Sequence, residues 1–288
     1  MRSESVAAAA MAVRYSGIPL ITPTASKKGL ASLGDFVFQL SPSPQTKARK
    51  LAEFVVNHQG FEDFIILSPE GEQLDSEASA FKKTAEDLGG EIVAEAHYPF
   101  GTQDFSPYLT RIRNRLLDIP SELLQQEEES FFDEIPVWAD GFFISADHGE
   151  MYDILSHIAR LNIYATIIGT EAFGDREVLE FVQNIGREAI FSSEAFPGEE
   201  NPRWQHLSQL YYNEHGKDPD RVSLLGYDSM LLLLSIFESV VSPTNIKEAL
   251  LRTNDFEGTS GKVSFDSQGE NIDVSVYTLE LGTVRKVR

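Results

Sequence analysis

The sequence predicts an α/β protein made of two doubly wound parallel-sheet lobes. Strand-like apolar segments alternate with segments of helical period along most of the chain, which is the pattern of parallel sheets covered by helices on both faces. Several helical segments open with a capping residue followed by proline, a frequent start of a helix. With 288 residues, of which 42% are hydrophobic, the chain is long enough for two lobes with cores of their own.

The predicted elements follow one another without an internal repeat. The first helix is predicted from about Ser5 to Tyr15. Strands are predicted at Ile18 to Thr22, Phe36 to Gln39, Phe64 to Ser68, Glu91 to Tyr98, Gly141 to Ser145 and Ile163 to Ile168. Further helices are predicted at Ser43 to Gly60, Asp75 to Leu88, Gly149 to Leu161, Asp175 to Asn184 and over most of Asn201 to Arg252. The tail from Gly258 to Arg288 is predicted to be rich in β-structure.

Four helix starts are marked by a capping residue with proline directly after it. They are Ser43-Pro44, Ser106-Pro107, Asn201-Pro202 and Ser242-Pro243. The segment from Pro120 to Pro136 carries three consecutive glutamates and is predicted to be an acidic surface insertion.

Composition excludes several classes of function. The net charge of −21, from 45 acidic against 24 basic residues, argues against nucleic acid or an anionic membrane as partner. The absence of cysteine excludes disulfides, thiolate metal sites and a cysteine nucleophile. The longest apolar runs, Val6 to Val13 and Met230 to Leu234, are far shorter than the ~20 residues of a membrane-spanning helix.

Catalytic motifs are not found in the sequence. Residues Gly258 to Lys262 resemble a phosphate-binding loop but have the wrong glycine spacing, and a turn before a strand explains them better. The run His148-Gly149-Glu150 matches half of a zinc deaminase signature, whose cysteines are absent. The chain is therefore predicted not to be an enzyme and to need no cofactor or metal.

Three places combine a strand end or helix start with small hydroxyl residues. They are Ser3 to Ser5, Thr22 to Ser26 and Gly169 to Glu171. Ligands of open α/β sheets bind at the carboxyl ends of strands, and the free N–H groups of a helix start suit a carboxylate. An acid opposite would suit an ammonium group, so the three places together indicate a receptor for a zwitterion. Simple helix capping and an ordinary loop remain open as explanations.

Five segments carry a family resemblance. The runs from Ser3 to Ala10 and from Gly17 to Ser26 resemble the type I periplasmic binding proteins for leucine, isoleucine and valine. The stretch Tyr98 to Phe105 and the segments Gly226 to Ser229 and Phe256 to Gly269 are similar to the same family, in the same order. The resemblance implies a ligand, such as an amino acid, held in a cleft between two lobes. It also implies a location outside the cytoplasmic membrane and an ABC permease as partner.

The resemblance also implies individual ligand contacts. The family's ligand-contacting serine falls on Ser3, and its loop contacts fall on Thr24, Ala25 and Ser26, which would hold the ligand carboxylate. The family's acid that pairs with the ligand ammonium falls on Glu171.

Two positions depart from the family's pattern. The family's aromatic contacts of the second lobe fall near Gln73 and Asp147, and neither residue is aromatic. This difference leaves an apolar pocket for the ligand side chain in question.

A second functional class is implied by a sub-branch of the same fold. The segment Ala139 to Asp147, with the insertion before it, looks like that of the penicillin-binding protein activators, which act through protein contact. The alternative to transport is therefore an interaction module that contacts a cell-envelope protein.

The resemblance further predicts how the chain is divided. Residues 1–42 and 194–271 would form the first lobe, and residues 43–193 and 272–288 the second. Family members have about three strands and two helices before the helix that Ser3 opens, so the first lobe is expected to be incomplete. The strand from Ile18 to Thr22 would then lie at or near an open edge, with unusual exposure around Val6 to Val13.

Overall fold

The computed structural model describes residues 3–70, 76–118, 135–194, 201–237 and 242–287. Contacts divide the chain into two compact units, each built from separated segments. Unit 1 comprises Met1–Thr46 and Glu194–Ser275, and unit 2 comprises Lys47–Ser193 and Val276–Arg288. Most of the predicted acidic insertion lies outside the described residues. Among the helices that are described, none is both long and apolar enough to cross a bilayer.

Helices and strands alternate through most of the chain. The helices are α1 (Ser3–Val13), α2 (Pro44–Asn57), α3 (Glu77–Asp87), α4 (Ser106–Leu116), α5 (His148–Arg160), α6 (Arg176–Asn184), α7 (Pro202–His215), α8 (Arg221–Phe237) and α9 (Pro243–Leu251). The strands are β1 (Leu20–Thr22), β2 (Val37–Gln39), β3 (Asp63–Pro69), β4 (Glu91–Tyr98), β5 (Val137–Ile144), β6 (Ile163–Gly169), β7 (Ala189–Ser192), β8 (Phe256–Glu257), β9 (Lys262–Val263), β10 (Val276–Glu280) and β11 (Thr283–Lys286). The predicted segments thus agree with the structure to within a few residues, except that β7 was not predicted.

Unit 1 contains a short parallel pair, β1 with β2, and a core formed with helix α8. Phe38 and Leu40 pack with Leu225 and Leu232, and an edge-on ring contact at 5.3 Å joins Phe38 to Phe265. Within the described residues β1 pairs with β2 alone, so the strand has an open edge there, as the sequence predicted.

Helix α1 packs in unit 1 through one face only. Val6 and Ala10 are fully buried, and Val6 shares a small cluster with Ala25 and Leu30. Met11 on the same helix is 73% exposed. The exposure predicted around this helix is therefore confined to the face opposite Val6.

Unit 2 is built on a seven-stranded sheet in the order β11-β10-β7-β6-β5-β3-β4. The strands from β7 to β4 are parallel, whereas β10 and β11 run antiparallel. The sheet is therefore mixed but mostly parallel, in agreement with the predicted parallel-sheet lobe, and the predicted β-rich tail supplies its antiparallel end. The antiparallel end arises because β10 and β11 form a hairpin whose turn residues, Leu281 and Gly282, have φ of +48° and +76°, the backbone that two-residue hairpin turns require.

The core of unit 2 is rich in aromatic side chains. Phe64 of β3 contacts Phe81 of α3 edge-on at 5.5 Å, and Phe81 stacks on Phe143 of β5 at 4.3 Å. All three rings are fully buried, so α3 packs against the middle of the sheet. The first turn of α3 lies near the last residues of β3 and β4, since Ser76 and Ser79 line one pocket with Ser68 and His97.

All four predicted helix starts agree with the structure, but at one of them the predicted residue is not the cap. Asn201 and Ser242 accept backbone N–H bonds from Arg203 and Asn245, and Ser43 Oγ accepts one from Thr46 N at 3.3 Å. In α4 the capping position is occupied by Phe105, and Ser106 is already helical.

Ser106 uses its hydroxyl group for a contact between helices. Its Oγ lies 2.6 Å from His157 Nε2 on α5. The prediction that Ser106 caps α4 was therefore wrong, because the hydroxyl group has a partner on a neighbouring element.

The glycine-rich run from Gly258 to Lys262 binds an anion, but the anion is a side chain of the protein. Asp228 of α8, which is fully buried, accepts the backbone N–H and the hydroxyl group of both Thr259 and Ser260 at 2.6 to 2.9 Å. A Cβ at Gly258 would lie 2.5 Å from the Asp228 carboxylate, so this residue must be glycine. The resemblance to a phosphate loop therefore has a structural cause.

Candidate functional site

The carboxyl ends of the parallel strands of unit 2 lie at one edge of the sheet. Strand β5 ends just before Ser145 and Asp147, and β6 ends just before Thr170 and Glu171. Parallel strands deliver the residues that follow them to the same edge, where ligands of open α/β sheets bind. We call this region the carboxyl edge of unit 2.

The hydroxyl group of Tyr98, the last residue of β4, organises one part of this edge. It lies 3.0 Å from both the Ser145 carbonyl oxygen and Glu150 Oε2. Burial raises the pKa of Tyr98 above its usual value, and the negative charges of Glu150, Asp147 and Glu77 raise it further. Tyr98 thus remains a neutral hydrogen-bond donor, and three carboxylates lie close enough to raise its pKa.

Each of two carboxylates is held by hydrogen bonds within unit 2. Glu150 Oε2 accepts a hydrogen bond from the backbone N–H of Asp147 at 2.9 Å and another from the hydroxyl group of Tyr98. Glu77, in the first turn of α3, accepts the hydroxyl group of Thr170 at 2.8 Å. With Asp147, which is exposed at the start of α5, these residues form a negatively charged group that we call the acidic cluster: Glu77, Asp147 and Glu150.

The acidic cluster was only partly predicted from the sequence. Asp147 was named, but Tyr98, Glu77 and Glu150 were not. A signal existed for the two glutamates, since both lie in the first turn of a helix that follows a strand of the sheet. Tyr98 had no such signal because a tyrosine ending a strand is ordinary.

Two predicted residues of unit 2 are not placed in full. Gln73 lies outside the described residues. Glu171 begins the 3-10 helix Glu171–Gly174 directly after β6, and its side chain is outside what the structure describes. The expected roles of both residues in ligand binding stay predictions.

The predicted residues of unit 1 lie on two neighbouring segments. Ser3 is the first residue of α1, and Thr24, Ala25 and Ser26 form a loop after β1. Ala25 is buried in a small cluster with Val6, which lies one helical turn after Ser3. This cluster holds the loop against the first part of α1. Ser3, Thr24 and Ser26 are half-buried.

Thr22, at the carboxyl end of β1, is a further polar residue at this place. It is 1% exposed, and its Oγ1 has no hydrogen-bond partner among the described residues. A buried hydroxyl group without a partner is costly, so such a group points to a water molecule or a ligand.

A glycine at the end of β6 fixes the backbone of the carboxyl edge. A Cβ at Gly169 would lie 2.2 Å from the ring of Phe173, which is fully buried and cannot move aside. We expect Gly169→Ala to lower the free energy of unfolding by ~1–3 kcal/mol, the usual cost of overpacking. Urea denaturation measures this change.

The control for this substitution is Gly149→Ala in the first turn of α5. A Cβ there meets nothing within 4 Å. Alanine is the better helix former, so this variant should be neutral or more stable. Equal destabilisation by both substitutions would contradict the steric role of Gly169.

The family of the chain follows from comparison with known proteins. A family model described as "Periplasmic binding protein" matches residues 1–283. The chain belongs to the periplasmic binding protein family. Its fold is the type I fold that the sequence resemblance implied, with the mixed sheet of unit 2 as described above.

One curated relative and two solved structures are similar to this chain. A Leu/Ile/Val-binding protein homolog 6 from Brucella abortus (strain 2308) is 27% identical over 102 residues, a match that covers 35% of this chain and only 26% of the relative. A protein from Rhodospirillum rubrum assigned to a branched-chain amino acid ABC transporter superimposes with a TM-score of 0.81 at 17% identity, covering 100% of this chain and 78% of that one. An ABC transporter solute-binding protein from R. palustris in complex with benzoate gives 0.68 at 17% identity, with coverage of 99% and 74%.

Proposed function

We propose that this periplasmic binding protein captures a small carboxylate-bearing solute, such as an amino acid, and delivers it to the permease of an ABC transporter. It would act outside the cytoplasmic membrane, where the family operates. The observation that carries the proposal is the acidic cluster at the carboxyl edge of unit 2, within a fold whose family binds solutes. Carboxylates at this edge suit the ammonium group of a zwitterion.

Unit 1 offers the complementary chemistry for the ligand carboxylate. The start of α1 at Ser3 supplies backbone N–H groups and the positive end of a helix dipole. The loop from Thr24 to Ser26 adds two hydroxyl groups, and the buried Thr22 hydroxyl lacks a partner among the described residues. These features support Ser3, Thr24, Ala25 and Ser26 as contacts of a ligand carboxylate.

A ligand screen tests this function. A ligand that binds only the folded protein raises its melting temperature, so the twenty amino acids and benzoate can be compared in a thermal-shift assay. We expect at least one aliphatic amino acid to give a saturable increase, confirmed by calorimetry. No shift with any amino acid would contradict the amino-acid assignment, and a shift with benzoate alone would place the protein among carriers of aromatic carboxylates.

The role of Glu171 gives a quantitative prediction. If Glu171 pairs with the ligand ammonium, Glu171→Gln should weaken binding of the amino acid found in the screen by ~1.5–3 kcal/mol, the scale of a charge-assisted hydrogen bond. Titration calorimetry at one ionic strength measures the difference. Glu180→Gln, an exposed position on α6 with the same change of charge, is the control and should bind like the parent protein. A dissociation constant unchanged in Glu171→Gln would remove Glu171 from the site.

The alternative is an interaction module of the same fold. One observation favours it: Trp138 and Tyr164, paired on β5 and β6, stack at 5.9 Å and are 67% and 39% exposed. Exposed aromatic residues are enriched at protein interfaces. This class of function would gain if no small molecule stabilises the protein while Trp138→Ala abolishes binding to a purified cell-envelope partner.

A further inference from the structure

A pocket of about 240 Å³ lies in unit 2 between the first turns of α3 and the last residues of β3 and β4. The polar residues of its lining are Ser68, Ser76, Ser79, Lys82, Glu95 and His97. At ~30 Å³ for each water molecule, the volume corresponds to roughly eight waters, enough for a small organic acid or a phosphate group. None of the lining residues belongs to the acidic cluster or to the family's ligand contacts.

The floor of the pocket holds a polar pair. Ser68, which is 2% exposed, lies with its Oγ 2.9 Å from His97 Nδ1. The two residues are register partners on β3 and β4, so their side chains lie on the same face of the sheet as α3. Since Nδ1 is engaged by Ser68, Nε2 of His97 is the ring nitrogen that can reach a ligand.

The wall formed by α3 supplies hydrogen-bond donors. Ser76 caps this helix and accepts the backbone N–H of Ser79 at 3.1 Å, which places both hydroxyl groups at the positive end of the helix dipole. One turn later Lys82 reaches the rim and binds Glu95 Oε2 at 2.7 Å. The ammonium group has three N–H donors, of which this contact uses one.

Donors outnumber acceptors in this lining. Glu95 is the carboxylate among the lining residues, and its pair with Lys82 is weak because both side chains are more than one-third exposed. A ligand oxyanion can therefore share Lys82 with Glu95. We infer that this pocket is a binding site for a small oxyanion, carried by a carboxylate or by a phosphate group, and that Lys82, Ser79 and His97 hold it. The site does not depend on the proposed solute capture.

The experiment uses the histidine ring protons as reporters. The 288-residue chain, which has six histidines, is titrated with inorganic phosphate and, separately, with acetate, at constant pH and ionic strength. We expect the His97 signal, assigned with His97→Gln, to shift saturably with at least one of the two anions. His206, exposed on α7 of unit 1, should not saturate in parallel. Saturation by phosphate alone or by acetate alone identifies the type of ligand, and no saturable shift with either overturns the proposal.

Three variants separate a specific site from general attraction of anions. Lys82→Gln should weaken binding about tenfold, the order of one charge-assisted hydrogen bond. Glu95→Gln should tighten binding, because it removes the carboxylate that competes for Lys82, an outcome that a merely structural ion pair would not produce. Lys83→Gln, the exposed neighbour with the same loss of charge, is the matched control. Equal weakening by Lys83→Gln, or no effect of Lys82→Gln in a protein with an unchanged melting temperature, would overturn the site.

Discussion

Asp228→Ala is expected to lower the free energy of unfolding of unit 1 by ~3–5 kcal/mol, because it leaves four buried hydrogen-bond donors without their acceptor. The carboxylate accepts two backbone N–H groups and two hydroxyl groups from Thr259 and Ser260, and all three residues are buried. The loop also lies close to the carboxylate at Gly258, where a Cβ would be 2.5 Å from an Asp228 oxygen. Loss of the carboxylate should therefore free the loop from α8.

The two tryptophans allow unit 1 to be observed by itself. Trp204 lies on α7 in unit 1, and Trp138 lies on β5 in unit 2. In a Trp138→Phe background, urea denaturation followed by fluorescence reports unit 1, and Asp228→Ala should shift the midpoint strongly. Asp35→Ala serves as control because Asp35 is 87% exposed and its contact with Lys247 is 3.7 Å long. Similar midpoints for the two variants would show that the loop contact does not stabilise unit 1.

Arg113→Ala is the second substitution with a large expected effect, and it acts in unit 2. Arg113 is fully buried, and its guanidinium group donates to the carbonyl oxygens of Leu161 at 2.9 Å and of Ile135 at 2.7 Å. Truncation leaves a cavity, a buried carbonyl group at Leu161 and a part-buried one at Ile135 without these donors, so we expect unit 2 to lose ~3–5 kcal/mol.

Two further variants identify the cause of that loss. Arg113→Met fills most of the space without the charge, so it should recover the part of the loss that comes from the cavity and not the part that comes from hydrogen bonds. Arg111→Met, at an exposed position on the same helix, should change little. Denaturation in a Trp204→Phe background reports unit 2 through Trp138. If Arg111→Met destabilises unit 2 as much as Arg113→Met, the two buried contacts do not explain the effect.

Helix α4 shows which buried residues the sequence periodicity predicts and which it does not. The spacing of Leu109 and Ile112 marks one face of a helix, and both residues are buried. Arg113 lies on the same face, yet periodicity assigns an arginine to the surface. Its burial depends on the carbonyl oxygens of Ile135 and Leu161, which lie 22 and 48 residues further along the chain.

The residues of the candidate site likewise include some that the sequence predicted and some that only the structure revealed. Residues directly after predicted strands, such as Asp147 and Thr170, could be assigned to the carboxyl edge because the chain itself carries them there. Tyr98, Glu77 and Glu150 were not assigned to the site from the sequence, and the structure connects them to this edge through hydrogen bonds between separate elements. The roles of Ser3, Thr24, Ala25, Ser26, Gln73 and Glu171 in binding remain proposals that the ligand titrations test.

The sequence by itself determined the alternation of strands and helices, most helix starts and the absence of cysteine chemistry, because these follow from local periodicity, capping and composition. Tertiary structure decided the antiparallel hairpin at the end of the unit 2 sheet, the burial of Asp228 and Arg113, and the pocket beneath α3. Each of these depends on which distant segments meet, and a buried charge becomes acceptable only where such segments supply enough hydrogen bonds to replace water.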